Sequence, residues 1–184
     1  MNDIEIIEYV KNGRTEKFAM IVERYQSFIF RTCMGFIHDE VESEDVTQDI
    51  FVIIFKNLNK FRGDSLFSTW IYRITVNECL RVVSKKKKSG FSISIDSLLS
   101  FGSNVSHGDA PDKVLIEDER RKAIQEAIDS LSENQRVAFV LSKYDDLSQK
   151  EIAQVLNTTE GAVESLLQRA KLNLQKKLVQ YHKK

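Results

Sequence analysis

Two stretches of this chain put groups where they could grip nucleic acid. In FRGDSLFSTWIYRITVNECLRVVSKKKK (61–88), Arg73, Asn77 and Arg81 recur at i, i+4 and i+8, so on a helix they form one polar row. Trp70 stands three residues before Arg73 at the head of that row, Tyr72 lies on the same run, and Lys85 to Lys88 extend it with four positive charges. Basic groups contact phosphates, and aromatic faces accept unpaired bases at roughly 1–3 kcal/mol each. Taken singly, a buried Trp and a solvated Lys run are ordinary. Their alignment beside the Gly63 loop favours binding.

The second stretch, LSQKEIAQVLNTTEGAVESLLQRAKLNL (147–174), has the pattern of a helix-turn-helix. Ile152 and Leu156 face inward from its first helix, and Ala153 is the small residue that a helix crossing needs. Asn157 occupies the turn, where a left-handed backbone is wanted and Asn tolerates it. Thr158 or Thr159 can cap the next helix, which packs through Val163, Leu167, Ala170 and Leu174. Its other face shows Glu160, Gly161, Glu164, Ser165, Gln168, Arg169 and Lys171, the hydrogen-bonding groups that a recognition helix presents. Generic helical hairpins share part of this pattern.

A third stretch points to a protein partner. In ESEDVTQDIFVIIFKNL (42–58), residues 50–55 are six apolar side chains in succession, enough to cover every face of a helix. A small domain buries one stripe. Either other helices surround this one, or its outer face, with Asp45, Gln48, Asp49 and Val52, meets another protein.

Chemistry of the bond-breaking kind is not visible. There is no phosphate loop and no placed nucleophile, and His38, His107 and His182 are scattered. Cys33 and Cys79 have no CxxC or Cys/His spacing and read as buried small hydrophobes in a reducing compartment. Neither an enzyme nor a metal, cofactor or small-molecule substrate is expected.

The elements that carry these groups are expected to be helices. The 184 residues suffice for one medium domain or two small ones. With 42% hydrophobic and 29% charged residues the chain is foldable, and 7 Gly with 1 Pro speak against a turn-dense β fold. The spacing predicts helices from about Phe18, over 41–58 and 67–87, and then over 113–130, 133–144, 149–156 and 160–180. Ser132 with Gln135 and Ser148 with Glu151 fit the capping pattern that starts a helix, here those over 133–144 and 149–156. Between the halves, 89–112 holds seven Ser, three Gly and Pro111 and reads as a linker. Its apolar groups, among them Phe91, Ile93 and Phe101, suggest that it lies along a partner or groove. The fold class is therefore all-α: two small helical domains joined by a flexible linker, over 1–90, 91–115 and 116–184, the second with the helix-turn-helix.

Charge is sorted along the chain. The 27 Lys+Arg and 27 Asp+Glu give a formal net charge of zero, which argues against a bulk polyanion binder. Yet residues 1–90 hold 14 basic and 13 acidic groups, 91–118 hold 1 and 5, and 119–184 hold 12 and 9. Acids near the N-terminus and the lack of a long apolar run lead to the expectation of a cytoplasmic protein without a signal peptide or membrane span.

These residues resemble the extracytoplasmic-function (ECF) sigma factors of bacterial RNA polymerase over nearly the whole length. SEDVTQDIFVIIFKNLNKF is similar to the family's core-polymerase-binding helix, with Asp45, Gln48, Asp49 and Phe51 on its D-x-x-Q-[ED]-x-F pattern. FRGDSLFSTWIYRITVNECLR resembles the promoter-melting and −10-reading segment, with Trp70, Arg73 and Asn77 in place. The segment 131–174 resembles the −35-binding region four, with Gln135, Arg136, Glu151, Ile152, Ala153, Gly161, Val163, Ser165, Arg169 and Ala170 in place.

The resemblance implies that Asp45, Gln48, Asp49, Phe51 and Val52 dock on the β′ clamp of RNA polymerase core. It implies a −10 surface of Arg62, Asp64, Ser65, Phe67, Trp70, Arg73, Asn77, Arg81 and Lys85, with the 61–68 loop holding a flipped base. It implies a −35 surface of Thr159, Glu160, Gly161, Glu164, Ser165, Gln168, Arg169 and Lys171 beside the β flap. It further implies a linker directed to the RNA exit path and an anti-sigma factor, often membrane-bound in this family. Many members carry Thr, a basic residue and Arg where this chain has Ala162, Glu164 and Leu166, so a different −35 readout is expected. A stand-alone helix-turn-helix regulator would account for 147–174 but not for 50–55 or the Trp70 row. A sigma-mimicking inhibitor would bind polymerase and start no transcript.

Overall fold

The computed structural model describes residues 1–88 and 111–181, with side chains described for 1–88 and 117–180. Among the described residues every regular element is helical. They are α1 (Asp3–Lys11), α2 (Phe18–Ile37), α3 (Glu40–Asn57), α4 (Phe67–Lys88), α5 (Pro111–Asp129), α6 (Glu133–Tyr144), α7 (Gln149–Leu156) and α8 (Glu160–Tyr181), with short 3-10 turns at Thr15–Lys17 and Leu58–Lys60. The expectations for the linker's apolar groups fall on residues outside those described.

The N-terminal half is a bundle in which α2 packs on α1, α3 and α4. Ile6, Ile21, Ile29, Ile50, Ile54 and Ile71 are fully buried at its centre. Each such side chain stabilises the fold by about 1.5–3 kcal/mol. Helix α1 had no counterpart in the sequence reading. A capping box starts it: the Asn2 side chain accepts the Glu5 N–H at 2.9 Å, and the Glu5 carboxylate accepts the Asn2 N–H at 2.8 Å. Asp3 then holds α1 to α2 by accepting from the Tyr25 hydroxyl at 2.5 Å and pairing with Arg24. Helix α2 stops where His38 turns left-handed (φ 62), and Asp39 caps α3 by accepting the Glu42 N–H at 2.8 Å.

In the C-terminal half α8 packs against α5, α6 and α7. Helix α5 begins at Pro111, a favoured residue for a first helical position, so helical backbone reaches into the stretch expected to be linker up to 115. The Ser148–Glu151 capping box forms as expected. The Ser132–Gln135 pattern does not: Ser132 stands at the start of α6 without a side-chain cap, and Gln135 Oε1 instead accepts the side-chain amide of Asn173 in α8 at 2.9 Å.

The two halves pack on each other, α2 against α6 and α4 against α7, and their buried side chains form one continuous core. Gly35 permits this. A Cβ there would stand 2.6 Å from Val140 Cγ1 and 3.2 Å from the Tyr144 ring. No described helix is long and apolar enough to cross a membrane.

Candidate polymerase and promoter interfaces

Helix α3 is not surrounded on every face by the other helices of the fold. Ile50 and Ile54 are buried, whereas Val52 and Phe55 are 49% and 42% exposed. Asp45, Gln48 and Asp49 are exposed as well. At steps of four and three, Val41, Asp45, Gln48, Val52 and Phe55 make one exposed stripe, acidic and polar at one end and apolar at the other. Val41 and Phe55 belong to it by exposure, a property that their apolar type did not reveal. Phe51 does not belong to it. It is 9% exposed and edge-on to Phe18, with ring centroids 6.4 Å apart, so it anchors the helix from within.

The 61–88 segment divides in the same way. Arg62 and Asp64 are exposed, and Ser65 is half-buried. Phe67, expected in the loop's base-holding set, is instead a core residue at 4% exposure, with Tyr25, Phe61 and Trp70 around it. Trp70 is half-buried and stacked on Phe67, its ring plane 19° away at 5.6 Å. Asn77 and Lys85 are exposed. Arg81 is exposed but held by the carboxylate of Glu78, one turn back, with its Nε 2.9 Å from Glu78 Oε2. The polar row Arg73–Asn77–Arg81 is therefore real in geometry and unequal in freedom.

Arg73 is the member most occupied. Its Nη2 donates to the Gln154 carbonyl at 2.6 Å and its Nε to the Val155 carbonyl at 3.3 Å. These are among the last carbonyls of α7, which have no partner within their own helix and carry the negative end of its dipole. A guanidinium there is favourable on both counts. Arg73, Asp64 and Ser65 thus share one cleft of about 520 Å3 with Asn157, Thr159 and Glu160 of the helix-turn-helix.

The helix-turn-helix is formed as its sequence pattern implies. Asn157 is left-handed (φ 52, ψ 51), and the Thr158 N–H reaches back to the Ala153 carbonyl at 2.9 Å. Thr159 caps α8 by accepting the Ala162 N–H at 3.2 Å. Ile152, Ala153, Val163 and Ala170 are buried at the crossing, while Leu156, Leu167 and Leu174 are half-buried. Thr159, Glu160, Gly161, Glu164, Ser165, Gln168, Arg169 and Lys171 are all exposed.

Residues 21–89 match the family model for sigma-70 region 2, and residues 121–174 match that for sigma-70 region 4. The RNA polymerase sigma-H factor of Pseudomonas aeruginosa is 30% identical over 180 residues, covering 96% of this chain and 93% of that protein. The ECF RNA polymerase sigma factor SigW of Bacillus subtilis is 31% identical over 176 residues, 94% of each chain. The chain belongs to the ECF sigma factors of the sigma-70 family. Its fold is shared with solved structures: that of CnrH in complex with the cytosolic domain of CnrY superposes with a TM-score of 0.65 at 22% identity, covering 96% of each chain. The sigma factor RpoE in complex with the anti-sigma factor NepR from Bartonella quintana gives 0.58 at 19% identity, covering 89% of this chain and 97% of that one.

In this sigma factor the seam between the halves is built from buried polar contacts. Arg136 of α6 is 3% exposed. It donates to the Phe36 carbonyl near the end of α2, lies 5.4 Å over the Phe36 ring and pairs with Asp129. Asp129 also meets His38 Nε2 at 3.2 Å. Arg73 and Arg136 are thus reciprocal clasps, each capping the C-terminus of a helix in the other half.

Asp145 completes the seam. It accepts the Thr32 hydroxyl at 2.7 Å and faces Arg31 Nε at 3.6 Å, and its Oδ1 has no hydrogen-bond donor. Burial first of all, aided by the charge of Asp146 and opposed by Thr32 and Arg31, pushes its pKa up from 3.8 to about 6. The folded value lies above the unfolded one, so the folded chain takes up a proton that the unfolded chain does not between about pH 4 and pH 6. The stability this group contributes is therefore greatest below pH 4 and is lost as the pH rises to 6. Asp129 behaves oppositely. Burial raises it, but the His38 hydrogen bond and the charges of Arg136, His38 and Lys87 outweigh that and hold it below the usual range, so its contribution is lost only in stronger acid. Asp145→Asn is expected to raise stability at pH 7.5 by about 1–2 kcal/mol and to flatten the decline between pH 4.5 and 6.5. Urea unfolding across that range measures both; a variant less stable at pH 7.5 contradicts the assignment.

Proposed function

We propose that this sigma factor directs core RNA polymerase to specific promoters and assists their melting. It does so by binding alone, in the cytoplasm, with no reaction, metal or cofactor of its own. The observation that carries the reading is the pairing, in one chain, of an exposed α3 stripe with an exposed recognition-helix face. Asp45, Gln48, Asp49 and Val52 would dock on the β′ clamp, with Val41 and Phe55 extending the contact and Phe51 bracing it from behind.

Arg62, Asp64 and Ser65, with the edge of Trp70, would hold a flipped −10 base, and pocket contacts would offset the few kcal/mol of extrusion. Asn77, Arg81 and Lys85 would track phosphates. Thr159 to Lys171 would enter the major groove at −35, next to the β flap. The proposed organisation is 1–90 for polymerase and −10 binding, 91–115 as linker and 116–184 for −35 binding. Arg73 reads promoter DNA only after it leaves the α7 carbonyls, so the halves must part on the way to initiation. An anti-sigma factor, the kind of partner named for the NepR complex, is the proposed inhibitor.

Arg169→Ala is expected to weaken binding to a −35-bearing promoter and to reduce the salt dependence by about one phosphate contact. An unchanged salt slope removes Arg169 from the phosphates. Co-elution with purified core polymerase tests the reading against a stand-alone regulator. The parent chain should co-elute and Asp49→Arg should not. A chain that binds duplex promoter DNA but never co-elutes with core would be a regulator of the second kind.

A further inference from the structure

Cys33 of α2 and Cys79 of α4 lie 46 positions apart in sequence, yet their sulfurs are 3.7 Å apart. Both are fully buried and unpaired by any disulfide. The Cys79 thiol donates to the Cys33 sulfur, so the two are a matched donor and acceptor. We propose that Cys33 and Cys79 form a reversible dithiol–disulfide site, oxidised by peroxide when the C-terminal half lifts away from the N-terminal half. Closing the gap to the roughly 2.05 Å of a disulfide asks for an approach of about 1.7 Å between neighbouring helices.

The two sulfurs have different parts. The hydrogen bond from Cys79, and a lesser one from Thr47 of α3, hold the Cys33 thiol below its usual range against burial, while the same contact pushes Cys79 up. Cys33 is therefore the nucleophile. The Cys33 thiol gives up its proton as its sulfur attacks one oxygen of hydrogen peroxide; the S–O bond forms, the O–O bond breaks, and the departing hydroxide takes up that released proton to become water. The Cys79 sulfur then attacks the resulting sulfenic acid. The S–S bond forms, the S–O bond breaks, and a second water leaves with the Cys79 proton. Two thiols lose two electrons and two protons, and one peroxide becomes two waters.

The seam controls access. At Gly35, two residues beyond Cys33, Val140 of α6 fills the place that a Cβ would take. On the other side Val76 and Leu80, flanking Cys79, line a cleft of about 440 Å3 whose far wall is Asn134 and Val137 of α6. Peroxide reaches the sulfurs when these contacts open, so oxidation reports on the parted state. The bond would lie beneath α3, joining the two helices that flank it.

Exposure of the full-length chain to hydrogen peroxide, then alkylation with N-ethylmaleimide under denaturing conditions and intact-mass measurement, tests this. The expected product has lost two hydrogens, takes up no maleimide, and returns to two alkylatable thiols after dithiothreitol. Gly35→Ala, whose Cβ would wedge the halves apart, should form it several-fold faster, and Cys33→Ser should not form it. Where Gly35→Ala does not fold, Arg136→Ala, which removes the clasp on the Phe36 carbonyl, serves as the loosened variant. Two free thiols after peroxide in parent and loosened variant alike overturn the proposal, as does sulfinic acid on Cys33 in place of the disulfide. Equal rates in parent and loosened variant overturn the role of the seam.

Discussion

Val52→Asp is expected to lower affinity for core RNA polymerase about 100-fold while leaving the free protein's stability within about 0.5 kcal/mol of the parent. Val52 is half exposed, so its replacement disturbs little of the core. It is flanked on the same stripe by Gln48 and Phe55, in the apolar end of the proposed docking face. A carboxylate there would be desolvated on docking without a cationic partner on this chain, and an unpaired charge buried at an interface costs several kcal/mol. Surface-immobilised core and a urea melt of the free variant separate the two effects. Loss of stability without loss of affinity would mean that the stripe is packing surface and not a docking face.

Arg136→Ala is expected to destabilise the free protein by about 3 kcal/mol. The guanidinium is buried, and its removal leaves the Phe36 carbonyl without that donor and a void beside the Phe36 ring. Its Nε already lacks a partner, and burial holds the group below its usual pKa, which sets the loss toward the lower end of a buried charge contact. Asp129 is 45% exposed on its side chain and can turn to water, so its share is small. Urea unfolding measures the loss. Arg136→Lys should fall between parent and alanine, because an ammonium lacks the planar fork. A change below about 0.5 kcal/mol would show that the Arg136 clasp contributes nothing to the folded chain.

What could be read from sequence follows from how local each signal is. Helices α2 to α8 are legible because apolar spacing, capping residues and the turn at Asn157 act within a few positions. Helix α1 carried a legible signal too, since Asn2-x-x-Glu5 followed by Ile6, Ile7 and Val10 is a capped amphipathic turn, but a nine-residue helix is marginal without its packing on α2. Phe51 and Phe67 show the limit of a motif: it marks a position as belonging to a functional segment without saying whether the side chain faces the partner or braces the element from inside.

The seam was not legible at all. Arg73 meets α7 across about 80 positions, Arg136 meets α2 across 100, and Thr32 meets Asp145 across 113. No periodicity encodes such contacts. Gly35 reads in sequence as a weak point of α2 and in the structure as the place where a second half fits. The zero net charge likewise sums unlike surfaces: an acidic docking end on α3 and lysines or arginines at 81–88 and 169–177.

The central claim is that this chain supplies promoter specificity to core polymerase. Run-off transcription measures it directly, with purified core enzyme, the chain added or withheld, and a library of upstream fragments from the same genome. Discrete transcripts that need both proteins, share −10 and −35 sequences, and vanish with Val52→Asp are expected. Core enzyme that yields the same transcripts with and without the chain, at concentrations where the two co-elute, would contradict it.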